Sequence, residues 1–202
     1  MIKAVIFDLS DVCFNAEEPP FIKAFAEKHG LDFPEFEKRY MELLYTAENH
    51  EISGRKIWQT IFGHYRLAGD VDQIIREMIN GKVAYQETLD FVKKLRPKYK
   101  TAFFTNYNED YWKLIAERFD LSEYFDVGLV SYMIGARKPA AKGFQYLLEK
   151  LGVVPDETIF TDDSAKNLEN AGTLGIHTIQ FKNIGQLKID LQAFTVSVEL
   201  GS

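Results

Sequence analysis

The sequence predicts an α/β protein: a parallel sheet with helices on both faces, and a bundle of helices inserted after the first strand. Three observations predict it. From Gln86 onward, short apolar runs alternate with amphipathic stretches, the pattern of parallel strands joined by crossover helices. The strand-like runs stop at polar residues, as at Asp8, Thr105-Asn106 and Asp162-Asp163. Between Asn15 and Gly81 nothing resembles a strand, and four amphipathic helices follow one another, which reads as a small bundle.

Each element has its own signature. Ala4-Val5-Ile6-Phe7 is an apolar, β-branched run ending at a carboxylate, as in a strand buried on both faces. Phe21 to His29 is helical, with Pro19-Pro20 before it and Gly30 as its stop. A second helix starts near Pro34 and carries Phe36, Tyr40, Leu43 and Leu44. Ser53 caps a third, with Ile57, Trp58, Ile61, Phe62 and Tyr65 on its buried side. Val71 to Met78 is the fourth.

Gln86 to Leu95 is again helical, and Thr101 to Phe104 is a short strand ending in Thr105-Asn106. Asn108 caps a helix through Tyr111, Leu114, Ile115 and Phe119, and Val127 to Val130 is a strand. Pro139 fits the first turn of a helix that buries Ala140, Phe144, Leu147, Leu148 and Leu151. Thr158 to Thr161 is a strand ending in Asp162-Asp163, followed by a helix that stops near Gly172 or Gly175. Thr178 to Phe181 is the last strand and Ile184 to Phe194 the last helix. The closing Gly201-Ser202 reads equally as native chain or as an appended remnant.

Composition narrows the function classes. With 202 residues, 46% of them hydrophobic, the chain can bury one good core plus a small accessory domain. A net charge of −6 argues against nucleic acid or an anionic membrane as the main partner. The single cysteine, Cys13, forms no internal disulfide or cysteine-based metal site, and with no base evident nearby it reads as core filler. The histidines, His29, His50, His64 and His177, show no HxH or HExxH spacing. No apolar run approaches the roughly 18 residues of a membrane helix, and the N-terminus lacks the pattern of a secretory signal. The expectation is a cytoplasmic protein, monomer or homodimer.

In a parallel sheet the carboxyl ends of the strands share one edge, where such sheets bind ligands. That edge would collect Asp8, Thr105-Asn106, Arg137-Lys138 and Asp162-Asp163. Asp8 and Asp163 would repel each other unless a cation sits between them, and hard carboxylate oxygens around a phosphate favour Mg²⁺. Lys138 supplies a fixed positive charge, and a helix N-terminus at Pro139 would add to it. The Thr105 hydroxyl and nearby backbone N–H groups could hold phosphoryl oxygens. The plainer reading of Asp8 is a strand cap.

This set resembles the haloacid dehalogenase-like hydrolase superfamily. Phe7-Asp8, Thr105-Asn106, Arg137-Lys138-Pro139 and Thr161-Asp162-Asp163 followed by Asn167 look like its four motifs in order. The likeness runs from Ile2 to about Phe181 and is nearest to sugar-phosphate phosphatase-like members and the phosphatase domain of soluble epoxide hydrolase. It implies a Rossmann-like core over 1–14 and 83–202, with an α-helical cap over 15–82. It also implies Mg²⁺-dependent hydrolysis of small phosphorylated metabolites. Asp8 would be the nucleophile and form an aspartyl-phosphate. Mg²⁺ would be held by Asp8, Asp163 and the backbone carbonyl of Ser10, with Asp162 as a ligand or just behind the ligands. Thr105, with Asn106 beside it, and Lys138 would orient the phosphoryl group. Asn167 would support Lys138 or the metal-site loop, or lie on a helix surface.

One position departs from the pattern. Phosphatases of this superfamily usually carry a second aspartate two residues after the nucleophile, as acid and then base; here that residue is Ser10. A neutral serine is a poor acid and base near pH 7, at a cost of roughly 10²–10⁴ in general catalysis. Asp11, one residue further, should point elsewhere. The expected substrates are therefore esters with good leaving groups. The alternatives are a carbon–halogen hydrolase of the same fold, or a catalytically weakened binding protein. The first needs no metal, which would make the Asp162-Asp163 pair a liability. A receiver domain places its acidic pair after the first strand, which is the wrong order. Trp58, Phe62 and Tyr65, like Tyr107, Tyr111 and Trp112, read as packing residues.

Overall fold

The computed structural model describes residues 1–196; Gly201-Ser202 lies outside the described residues. Five parallel strands form one sheet: β1 (Ala4–Phe7), β2 (Lys100–Thr105), β3 (Val127–Val130), β4 (Thr158–Asp162) and β5 (His177–Gln180). Their order is β3-β2-β1-β4-β5. The apolar run at 4–7 becomes the central strand because it can be buried on both faces, and all four of its residues are. The two-residue period of a strand divides them between two cores. Val5 and Phe7 face one side, and Ala4 and Ile6 face the other with Phe104, Phe144 and Phe160.

Between β1 and the rest of the sheet the chain forms α1 (Glu18–Lys28), α2 (Phe33–Glu48), α3 (Gly54–Tyr65) and α4 (Val71–Asn80). The later helices are α5 (Gln86–Leu95), α6 (Glu109–Arg118), α7 (Ala141–Leu151), α8 (Ala165–Thr173) and α9 (Ile184–Ala193). The aromatic spine of α1 to α3 is packing: Trp58 is fully buried, with Phe25, Tyr40 and Phe62 around it. Tyr65 is only half-buried, its hydroxyl donating to Glu35 at 2.5 Å. The helices α3 and α4 pack on α6, whose Trp112 lies against Phe103 of β2 with ring centroids 5.5 Å apart. The entering and leaving linkers are tied together by Asn15. Its amide donates to Gly81 O at 3.0 Å and accepts from Val83 N–H at 2.6 Å.

The structure shifts several expected boundaries. Pro19 and Pro20 fall inside the first turn of α1, where a missing N–H costs nothing. The last strand is one residue earlier than expected, although Phe181 N–H still bonds Asp162 O at 3.0 Å. Pro139 is not in a helix. The chain makes a turn there, closed by Ala140 N–H on Arg137 O at 2.9 Å, and α7 starts at Ala141. Ala140 is accordingly exposed.

Candidate active site

The strand order reverses direction on either side of β1, so the crevice of this sheet opens at the carboxyl ends of β1 and β4. In register, Phe7 pairs with Thr161 on one side and Phe103 on the other. One step further along β1 is Asp8, whose N–H donates to Thr161 O at 2.9 Å. That step puts Asp8 level with Asp162.

Lys138 Nζ lies 2.7 Å from Asp8 Oδ1 and 2.7 Å from Asp162 Oδ2, with all three side chains buried. Asp8 Oδ1 also accepts from Leu9 N–H at 2.6 Å. Asn106 positions the lysine by gripping its backbone: Lys138 N–H donates to Asn106 Oδ1 at 2.7 Å and Asn106 Nδ2 donates back to Lys138 O at 3.4 Å. Asp162 is held from three directions. Besides Lys138, it accepts from Ser164 N–H at 2.8 Å and from Asn167 Nδ2 at 3.1 Å. Asn167 thus steadies the partner of Lys138. Thr105 ends β2, the strand that pairs with β1, and is buried.

Asp8, Asp162 and Asp163 each offer a carboxylate oxygen within 4.8 Å of the others. Burial pushes Asp8 up to about 7, with Asp162 adding to the rise and Lys138 opposing it. Asp163 is raised by burial and by the neighbouring Asp162 and Asp11. Burial pulls the Lys138 ammonium down, but its two carboxylate partners outweigh that and raise it. The group is thus acid-rich, oxygen-only and short of positive charge, a donor set that fits a hard divalent cation. Cys13 is buried, and burial, with Asp8 nearby, pushes its thiol well above the usual range. Asp11 turns away: it has a left-handed backbone and its Oδ1 accepts Ala16 N–H at 3.0 Å.

Beside this group is a second polar cluster that sequence reasoning missed. Ser10 Oγ is 3.0 Å from the Tyr107 hydroxyl, which donates to Glu17 Oε1 at 3.4 Å. Glu17 Oε2 pairs with Lys82 Nζ at 2.5 Å, both side chains buried. Tyr107 is therefore more than packing. Glu18 accepts from Tyr40 OH at 3.0 Å, and burial with Glu17 and Glu48 nearby pushes its carboxyl up to about 8. Glu48 on α2 pairs with Arg137 Nε at 2.6 Å, joining the inserted helices to the loop that carries Lys138. In sequence, Glu17 and Glu18 look like ordinary acids at a helix start, and only the meeting of the two linkers buries them against Lys82.

A doubly wound sheet whose first strand ends in a lysine-bound aspartate, with a helical insert after that strand, defines a class of hydrolases. The chain belongs to the haloacid dehalogenase-like hydrolase family, whose model matches residues 2–174. It is 27% identical over 194 residues to a phosphorylated carbohydrates phosphatase of Thermotoga maritima, covering 88% of this chain and 84% of that protein. It is 26% identical over 197 residues to the D-ribitol-5-phosphate phosphatase of Bacteroides thetaiotaomicron, covering 91% and 93%. A family enzyme of the same bacterium, solved with magnesium and inorganic phosphate, superposes with a TM-score of 0.80 at 26% identity, covering 93% of this chain and 99% of that one.

Proposed function

We propose that the chain is a Mg²⁺-dependent phosphomonoesterase acting on small phosphorylated metabolites, with residues 15–82 as its cap. The observation that carries this reading is the bridge of Lys138 between Asp8 and Asp162, 2.7 Å to each, with Asp163 in the same acid group. Lys138 and Leu9 N–H both hold Oδ1 of Asp8, which fixes the carboxylate for attack on phosphorus. Attack yields an aspartyl-phosphate and expels the alcohol, and water then releases phosphate and restores Asp8. Lys138 holds the nucleophile and meets the charge on the phosphoryl group, while the Thr105 hydroxyl orients a phosphoryl oxygen. Asn106 acts through the Lys138 backbone.

Asp8, Asp163 and the backbone carbonyl of Ser10 would hold Mg²⁺, which offsets the crowded negative charge when bound. Asp162, with both oxygens engaged, holds Lys138 in place. The phosphatase names of the Thermotoga and Bacteroides relatives support this reading, as does the magnesium–phosphate complex of the structural neighbour. Because Ser10 supplies no ready proton to a leaving group, the enzyme favours anomeric sugar phosphates, aryl phosphates and acyl phosphates over simple alkyl esters.

A screen of phosphorylated sugars and aryl phosphates, with Mg²⁺ and with EDTA, tests the reading. Phosphate release should need the metal and vanish in Asp8→Asn. Release that survives EDTA or this substitution sinks it, and EDTA-resistant halide release from 2-haloacids would install the dehalogenase reading in its place.

A further inference from the structure

Ser10 stands two residues beyond the proposed nucleophile, and its hydroxyl is wired inward. The Tyr107 hydroxyl faces Glu17 Oε1 at 3.4 Å, with Glu17 the acceptor of that bond. Tyr107 therefore donates to Glu17, and its oxygen is left to accept from Ser10 at 3.0 Å. Lys82 Nζ lies 2.5 Å from Glu17 Oε2 and holds that side chain in place. Glu17, Tyr107 and Lys82 are each at most 3% exposed, so water does not short-circuit the line and its hydrogen bonds act in a low dielectric. Tyr107 is fixed from behind, since its N–H donates to Ser131 Oγ at 3.2 Å and its carbonyl accepts from the same hydroxyl at 3.2 Å. All the donors point one way, from Ser10 toward Glu17, and the Ser10 oxygen keeps lone pairs to receive a proton.

We propose that Ser10, Tyr107 and Glu17 form a proton relay that serves the second half of the reaction, drawing a proton from the water that hydrolyses the aspartyl-phosphate. The relay rests on the phosphatase reading above. In this step a bond forms between water oxygen and phosphorus, and the bond from phosphorus to Asp8 breaks, returning the carboxylate. The water's proton goes to Ser10 Oγ as the Ser10 proton passes to Tyr107 and the Tyr107 proton to Glu17. Phosphate forms as its dianion, and the proton held on Glu17 returns along the same line to the phosphate as it departs, so that it leaves as the monoanion. Each proton in this line is donated away from the reacting atoms, so the relay gives nothing to the leaving group in the first half. One arrangement thus accounts for a slow acid step and an assisted hydrolytic step. Ser10 is the group that meets the water; Tyr107 and Glu17 act through it.

Rapid-mixing kinetics with para-nitrophenyl phosphate and Mg²⁺ separate the two halves. In Tyr107→Phe and Glu17→Gln, nitrophenolate should appear as a burst of about one per enzyme at the wild-type rate. Steady turnover should then fall roughly 10²-fold, with phosphate trapped on Asp8 by acid quench. Ser10→Ala, the smallest change and the one least able to disturb folding, should show the same split. If burst and turnover fall together, or neither changes, the network is only a staple between the linkers and the relay is wrong. Wild-type enzyme that releases no nitrophenolate and forms no phosphoenzyme would instead overturn the phosphatase reading, and the relay with it.

Discussion

In the proposed mechanism Ser10, a poor acid, stands where the leaving group needs a proton donor. Replacing it with a carboxylic acid tests how much that place is worth. Ser10→Asp should raise turnover on alkyl phosphates by about 10²-fold or more, the scale of a positioned general acid, while aryl phosphates, whose leaving groups need little protonation, change far less. A folded variant with unchanged or lower alkyl turnover would count against the assignment. The same scale shows which residues a sequence can reveal. Asp8, Lys138 and Asp162-Asp163 are legible because charge at the end of a buried strand or beside a turn has few other reasons to be there. Glu17 and Lys82 are not. Each looks solvated in its own stretch, and each is buried only because two linkers 65 residues apart in sequence close on one another.

The same logic holds for the elements. Ser53 and Asn108 are helix caps that local chemistry predicts, and both accept the expected N–H, from Lys56 and Tyr111, at 3.1 Å. Pro139 misleads because proline suits a tight turn as well as a first helical turn, and the arrangement that decides between them, Asn106 gripping Lys138, comes from a distant strand. Tertiary contact also sets the sign of a local preference. A Cβ on Gly143 in α7 would sit 2.1 Å from the Phe104 ring, whereas a Cβ on Gly172 in α8 would meet nothing within 4 Å. Gly172→Ala should therefore stabilise, by about 0.5–1 kcal/mol of helix propensity. Gly143→Ala should destabilise by about 1–2 kcal/mol, since overpacking exceeds the same gain. Urea melts of the two variants would read this out, and equal shifts would show that α7 can move off the sheet.

For the whole molecule, the alternation of strands and helices is readable from the chain, but the order β3-β2-β1-β4-β5 is not. That order is what gathers Asp8, Asp162 and Asp163 within 4.8 Å, with one buried ammonium among them. The fold therefore carries a cost that depends on pH. The Asp8 carboxyl has an ordinary value of 3.8 and is raised to about 7 in the folded metal-free chain. Over that interval the folded state binds more protons than the unfolded one, so its stability is full below 3.8 and declines as pH rises through about 7. A divalent cation reverses the balance, because it binds the deprotonated carboxylates and only in the folded chain. Mg²⁺ at a hundred times its dissociation constant should add about 2.7 kcal/mol, a rise in Tm of roughly 5–10 °C for a chain of this size. The rise should be larger at pH 8 than at pH 6, where protons compete for the same oxygens, and Asp163→Asn should remove most of it. Scanning calorimetry across that range checks each part, and a Tm indifferent to Mg²⁺ at pH 8 would mean that Lys138 alone balances the three acids.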